Sequence, residues 1–250
     1  MSKIQINQAS KILLDEGVLN QTNANLIGNT NRAVEVADLT ELFDDPVFSC
    51  FLIDESGSME PYRQGVIDGQ EEMIKILRPS AKCRKGALYV VQYAFNESVR
   101  TLNPFSLLSE NGNDDVVILK QTADYNPNSG TALYKSLFNL LQDMAVNIAN
   151  ALQSNVKSTF TIGVITDGED TEAGIDPSQI RDILKDLTSK NILRSSVIVG
   201  LVNSKFTPSM LEELKNRLGF QQAIALNQDP KEIRRAFVLA SQSAIQGQTM

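Results

Sequence analysis

The chain has 250 residues, with 23 Lys and Arg against 30 Asp and Glu for a net charge of −7, and it contains no histidine. Without imidazole it cannot run a Ser-His-Asp or Cys-His mechanism or offer a His ligand to zinc or iron, and its acidic balance argues against nucleic acid as the main partner. With 42% hydrophobic and 21% charged residues it can bury a core, as one large α/β domain or two small ones.

Residues 1–46 are rich in Asn and Gln and carry short apolar clusters such as Ile12-Leu13-Leu14, with no sustained period. They read as a partly irregular N-terminal arm; packing on its own domain, disorder and docking of a partner all suit that composition. The first ten residues lack a positive segment followed by an apolar core. No run in the chain approaches the roughly 18 apolar residues of a membrane span.

From residue 47 to 250 short β-type runs alternate with longer helical patterns, the signature of βαβ units. Val47 to Ile53 is nearly continuous in apolar residues, as a strand covered on both faces would be. A helical stripe of Val66, Ile67, Met73, Ile74 and Leu77 follows, stopped by Arg78-Pro79. Ala87 to Phe95 is a second strand, and Asn96-Glu97-Ser98 turns into Val99–Leu102, a candidate antiparallel edge. Asn103 to Asn128 reads mostly as loop.

A long helix is expected from Thr131 through Leu137, Leu141 and Ile148, then a strand from Thr159 to Thr166 closed by Asp167-Gly168. Pro177–Lys190 (helix), Ser195–Val202 (strand), Pro208–Leu218 (helix), Ala223–Leu226 (strand) and Asp229 to about Ile245 (helix) complete the count. The expected fold is a doubly wound, mostly parallel α/β sheet of about six strands, with one antiparallel edge strand and helices on both faces. Cys50 in an apolar run and Cys83 in a basic loop are too few for a disulfide framework, which points to a reducing, cytoplasmic setting.

In such a sheet ligands bind beyond the carboxyl ends of the strands. The first strand ends in Asp54-Glu55-Ser56-Gly57-Ser58-Met59, the long helix opens at Ser129-Gly130-Thr131, and the strand at Thr159 ends in Thr166-Asp167-Gly168. Together these loops offer two carboxylates and three hydroxyls, hard oxygen donors of the kind Mg²⁺ or Mn²⁺ prefers. The i, i+2, i+4 spacing of Asp54, Ser56 and Ser58 lets one curled loop aim three side chains at one point. The plainer reading is that Asp54 and Asp167 cap turns and helices.

Asp54-x-Ser56-x-Ser58, then Thr131, then Asp167 resembles the metal-ion-dependent adhesion site of von Willebrand factor A domains over residues of about 47 to 246. The local forms Leu52-Ile53-Asp54-Glu55-Ser56-Gly57-Ser58-Met59, Gly130-Thr131-Ala132-Leu133-Tyr134 and Ile165-Thr166-Asp167-Gly168 are most similar to stand-alone bacterial members. Ser129 departs from the pattern, standing where many relatives have a second glycine. The resemblance implies direct metal binding by Ser56 and Ser58, direct or water-mediated binding by Thr131, and mostly water-mediated binding by Asp54 and Asp167. An ion so held stays incompletely neutralised and can accept an Asp or Glu carboxylate from a partner protein. In relatives such as integrin inserted domains the last helix slides when the metal changes coordination; fixed packing is the plainer expectation here.

The implied function is a non-enzymatic module that binds protein through Mg²⁺, with Mn²⁺ or Ca²⁺ as alternatives, beside neither nucleic acid nor membrane. By family analogy it works beside an ATPase-containing assembly or in a stress or defence assembly; the chain itself has no Gly-x-x-x-x-Gly-Lys-Ser/Thr loop. Two rivals remain: a Mg²⁺-dependent phosphoryl-transfer enzyme or phospho-acceptor using Asp54, and a scaffold that the metal only stiffens. Against the first, the loops lack a second Asp after Asp54 and a Lys or Arg to clamp phosphate. Glu169, Asp170 and Glu172 read as a solvated helix start, with a second cation site or a rim that selects partners as the alternatives. Arg78, Lys82, Arg84 and Lys85 read as a solvated loop at the opposite end of the sheet, with contact to phosphate or an acidic partner as the alternative.

Overall fold

The computed structural model describes residues 3–39, 45–120, 124–168, 170–172, 174–227 and 229–246. Its largest element is a sheet of six strands: β3 (Val47–Asp54), β4 (Leu88–Phe95), β5 (Val99–Leu107), β6 (Thr159–Thr166), β7 (Leu193–Val202) and β8 (Gln222–Asn227). The order is β5-β4-β3-β6-β7-β8, parallel throughout except where β5 runs antiparallel to β4. The chain leaves β3 toward β4 on one side and later returns to lay β6 on the other, so the strand order reverses between β3 and β6. That is where open α/β sheets form their crevice.

Strand alternation divides the core. Phe48, Cys50 and Leu52 face α5 (Leu133–Gln153), α6 (Pro177–Ser189) and α7 (Pro208–Leu218), whereas Val47, Phe51 and Ile53 face α3 (Arg63–Leu77) and α8 (Pro230–Gln246). Every β3 residue is buried, which is why its sequence shows no polar alternation. The helix starts are marked by ordinary capping chemistry: Asp176 accepts from Ser178 N ahead of α6, and Thr207 accepts from Met210 N ahead of α7, each followed by Pro at the first helical position. A short helix, α4 (Ala81–Arg84), leads into β4.

β5 corrects the reading of Asn103–Asn128 as loop from its first residue. The strand continues to Leu107 through a bulge opposite Gln92, with Phe105 at φ 32°. Asn103 and Pro104 look like breakers in sequence; in the fold Pro104 sits on an edge strand, where its missing N–H is tolerated. The Asn103 amide is buried, donating to Gln92 Oε1 (2.6 Å) and Val117 O (3.0 Å) and accepting from Val117 N (2.6 Å). Gln70 of α3 joins the same cluster. Thus the polar residues that read as loop are the interior fasteners of the segment after β5.

Residues 3–39 carry β1 (Lys3–Gln5), α1 (Ile6–Asp15), α2 (Gln21–Ile27) and β2 (Ala33–Glu35), with β1 and β2 paired antiparallel. Ile6, Ala9, Leu13, Ala24 and Ile27 are buried against the α5 side of the core. Side chains of α5 satisfy the backbone of this segment: Ala37 N donates to Asn147 Oδ1 (2.9 Å), Asn150 Nδ2 to Ala37 O (3.1 Å), and Gln142 Nε2 to Ile27 O (3.1 Å). Asp143 of α5 accepts from Arg32 Nη2 at 2.5 Å and from the Tyr93 hydroxyl. Burial raises the Asp143 carboxyl, and the Arg32 charge opposes the rise.

Arg32→Met is therefore expected to cost about 2 kcal/mol, less than the roughly 3–5 kcal/mol of a fully buried pair because Arg32 is half exposed. Adding Asp143→Asn should recover most of the loss in a urea titration near neutral pH. An equal loss in the Asp143→Asn background would mean that Arg32 acts by packing and not by charge.

Candidate metal centre

β3 and β6 end side by side, and their last residues place Asp54 and Asp167 at the same end of the sheet. Beyond Asp54 the chain turns at once, because the Asp54 carboxylate accepts from Ser56 N (2.8 Å) and so fixes the loop that leads into a 3₁₀ turn over Gly57–Tyr62. The other oxygen, Oδ2, accepts from Thr166 Oγ1 at 2.5 Å. The Tyr125 hydroxyl donates to the Asp54 backbone carbonyl. Asp54 is thus held on both its side chain and its main chain.

The serines complete the cluster. Ser56 Oγ lies 3.1 Å from Ser58 Oγ, and Ser58 Oγ donates to Asp167 Oδ1 at 2.7 Å. Four of the five residues expected from the sequence are linked by these bonds. Thr131 arrives through its loop: Gly57 N donates to Ser129 O (3.0 Å), and Asn128 N donates to Glu55 O (2.9 Å). Thr131 is buried, Thr171 brackets its backbone by accepting from Thr131 N (2.8 Å) and donating to Thr131 O, and its own hydroxyl has no partner among the described residues.

Ser129 takes φ 60°, the left-handed region that glycine occupies freely. The residue at which this chain departs from the family pattern is therefore one whose backbone would suit glycine. Gly130 is constrained differently: a Cβ there would stand 2.9 Å from Glu172 Oε1 and Thr171 Oγ1.

Electrostatically the cluster is short of positive charge. Burial pushes Asp54 up to about 6; hydrogen bonds from Ser56 and Thr166 oppose the rise and the Asp167 charge adds to it. Burial also raises Asp167 above the ordinary carboxylate range, against the Ser58 hydrogen bond. Neither carboxylate has an ion pair among the described residues, and the nearby arginines are committed elsewhere, Arg100 to Glu55 (2.7 Å) and Arg63 to Glu60 (2.5 Å). No group of three or more His, Cys, Asp and Glu gathers among the described residues. The candidate donors are instead two carboxylates and three hydroxyls, all oxygen, a set that fits a hard divalent cation able to retain several waters.

Thr166 and Tyr125 were not singled out by the sequence. A threonine at a strand end carries no distinguishing signal, and Tyr125 lies in a segment without periodicity. Of the acidic residues after the β6 loop, Glu169 lies outside the described residues, Asp170 accepts from Tyr134 N (2.9 Å) and so caps α5, and Glu172 is exposed beside Gly130. Arg78 pairs with Asp114 at 2.5 Å, a structural tie and not a solvated loop charge.

Neither a protein-family model nor a curated protein matches the sequence. Solved structures do match by fold. A von Willebrand factor type A protein from Catenulispora acidiphila aligns over 81% of this chain and 43% of its own, at 18% identity and TM-score 0.54. The von Willebrand factor domain of the type V pili tip protein Mfa5 from Porphyromonas gingivalis aligns over 82% of this chain and 96% of its own, at 10% identity and TM-score 0.57. The PilB minor pilin from Streptococcus sanguinis aligns over 86% of this chain and 64% of its own, at 13% identity and TM-score 0.55. The match therefore spans less than half of the first of these proteins. Sheet order, the single antiparallel edge and these alignments agree that the chain has the fold of a von Willebrand factor A domain.

Proposed function

We propose that this chain is a non-enzymatic, Mg²⁺-dependent protein-binding module, in which Asp54, Ser56, Ser58, Thr131 and Asp167 hold the ion and a partner's Asp or Glu completes its coordination. The observation that carries the reading is the pair of buried carboxylates, Asp54 and Asp167, linked through Ser56 and Ser58 with no ion pair to a cationic side chain among the described residues. A divalent ion relieves that deficit, and neutral hydroxyls in the set leave it charge enough to attract a further carboxylate.

Similar folds occur in a pilus tip protein and a minor pilin. Among the described residues no helix is long and apolar enough to cross a membrane, and Cys50 and Cys83 are both free and buried. A cytoplasmic setting, with an ATPase-containing assembly as partner, remains part of the proposal.

The ion should compete with the proton that Asp54 binds with a pKa of about 6. Mg²⁺ is therefore expected to raise the melting temperature near pH 7.5 and to lose most of that effect near pH 5, where Asp54 is protonated in the metal-free protein. A Mg²⁺ shift of equal size at both pH values would remove Asp54 from the site. For function, retention of a partner from the source lysate should require Mg²⁺ and fail with EDTA or with Asp54→Asn, each sample first shown to be folded. Partners that persist in all three would move recognition away from the metal. Mg²⁺-dependent turnover of a phosphate ester, abolished by Asp54→Asn, would replace this reading with an enzyme.

A further inference from the structure

A cavity of 310 Å³ lies beside the candidate metal site, lined by Glu55, Asn96, Ser98, Arg100, Asn126 and Asn128. Glu55 stands between Asp54 and Ser56, and Asn128 precedes the Ser129–Thr131 loop, so the two sites share their walls. Its charges are balanced internally. Arg100 donates to both Glu55 oxygens (2.7 and 3.3 Å), and Asn126 N donates to Glu55 Oε1 (2.6 Å).

Each amide oxygen of the cavity already accepts at least one internal hydrogen bond. Asn96 Oδ1 accepts from Ser98 N (2.9 Å) and Ser98 Oγ (3.1 Å), Asn128 Oδ1 accepts from Asn96 Nδ2 (3.0 Å), and Asn126 Oδ1 accepts from Arg63 (3.3 Å). Two donors are wholly free: Asn126 Nδ2 and Arg100 Nη1 have no partner among the described residues. An incoming Lys or Arg would set its charge against the Arg100 guanidinium and its donors against these two. A second carboxylate would meet Glu55, and an apolar side chain would strip water from donors without replacing it.

We propose that this cavity is a subsite for a neutral hydrogen-bond acceptor, the side-chain amide of an Asn or Gln directly adjoining the partner's metal-bridging Asp or Glu. The inference rests on the metal-bridging reading above. The amide oxygen takes the free donors, and its NH₂ meets the Ser98 hydroxyl oxygen.

The test is an array of immobilised alanine-based heptapeptides with a central Asp and one varied residue directly before or after it, probed with the labelled full chain in Mg²⁺ and in EDTA. Asn and Gln at the varied position should be retained about fivefold better than Ala, the worth of roughly one net hydrogen bond, and only with Mg²⁺. Asn126→Asp exchanges the donor for an acceptor, so it should keep Mg²⁺-dependent retention of the all-alanine flank while turning the preference toward Lys and Arg. Asn126→Ala should level the preference, and it serves if the first variant does not fold. Mg²⁺-dependent retention that ignores the neighbouring residue, or a preference that both variants leave intact, overturns the subsite and spares the metal reading. Absence of any Mg²⁺-dependent retention of the Asp peptides overturns both.

Discussion

Replacing Asp54 by asparagine is expected to abolish the Mg²⁺ response and, in the same protein without metal, to raise the melting temperature near neutral pH. The two effects have one cause. An Asp whose pKa rises from 3.8 in the unfolded chain to about 6 in the native state binds its proton more tightly when folded. Stability contributed by that proton is present at low pH, declines between those two values, and is gone above the upper one, so at neutral pH the ionised Asp54 is a liability to the metal-free fold. The linkage relation puts it at about 3 kcal/mol.

Asparagine removes the charge and keeps the hydrogen bonds. Its oxygen can still accept from Ser56 N, and its NH₂ can donate to Thr166 Oγ1, whose own proton then turns to Gly168 O, 3.1 Å away. For a chain of this size about 3 kcal/mol corresponds to roughly 6–12 °C as an upper bound. Calorimetry in EDTA should therefore place Asp54→Asn above wild type, and saturating Mg²⁺ should lift only the wild type and narrow or reverse the order. If Asp54→Asn melts below wild type in EDTA, the hydrogen bonds of the charged carboxylate outweigh its burial, and the charge deficit invoked for the metal loses its basis.

The parts of this fold that could be read in advance are those in which local pattern and burial coincide. Val47–Ile53 is apolar at nearly every position because both of its faces are covered, and the predicted elements already put Asp54, Ser56 and Ser58 after one strand, Asp167 after another and Thr131 at the start of the long helix. Asn103 and Pro104 misled because polarity and a missing N–H mark loops in general, whereas here a bulged edge strand accepts the proline and Gln70 and Gln92 bury the amide. The helix of residues 6–15 buries Ile6, Ala9 and Leu13 at helical spacing, but over only three turns, and that of residues 21–27 is shorter still, so neither stands out against the Asn- and Gln-rich sequence around it; α5 supplies the side chains that satisfy the segment. Thr166 and Tyr125 illustrate the same limit at the site: their partners, Asp54 Oδ2 and the Asp54 carbonyl, lie 112 and 71 residues away.

Gly69→Val is expected to be among the most damaging single substitutions in the chain, because α3 and α8 meet through glycine. A Cβ on Gly69 would stand 2.4 Å from Phe237 Cδ2, and one on Gly65, a turn earlier, 3.2 Å from Ile233 Cδ1. The floor of the same groove is Gly163 of β6, where a Cβ would stand 3.2 Å from Ala240 Cβ. Each helical glycine costs about 1 kcal/mol in propensity against alanine, which the close seating of α8 offsets. Phe237 and Ile233 are both fully buried, so neither can step aside into solvent.

Valine at position 69 must therefore push α8 off the sheet or force Phe237 out of its rotamer, for an expected loss of about 3 kcal/mol or more. Urea unfolding of Gly69→Val, Phe237→Leu and the double variant gives the decisive comparison. If the loss is a clash with that ring, the smaller leucine should make room, and the double variant should lose less than the two single losses added together, by a coupling of about 1–3 kcal/mol. Strict additivity would mean that β-branching in the helix, and not the α3–α8 contact, sets the cost.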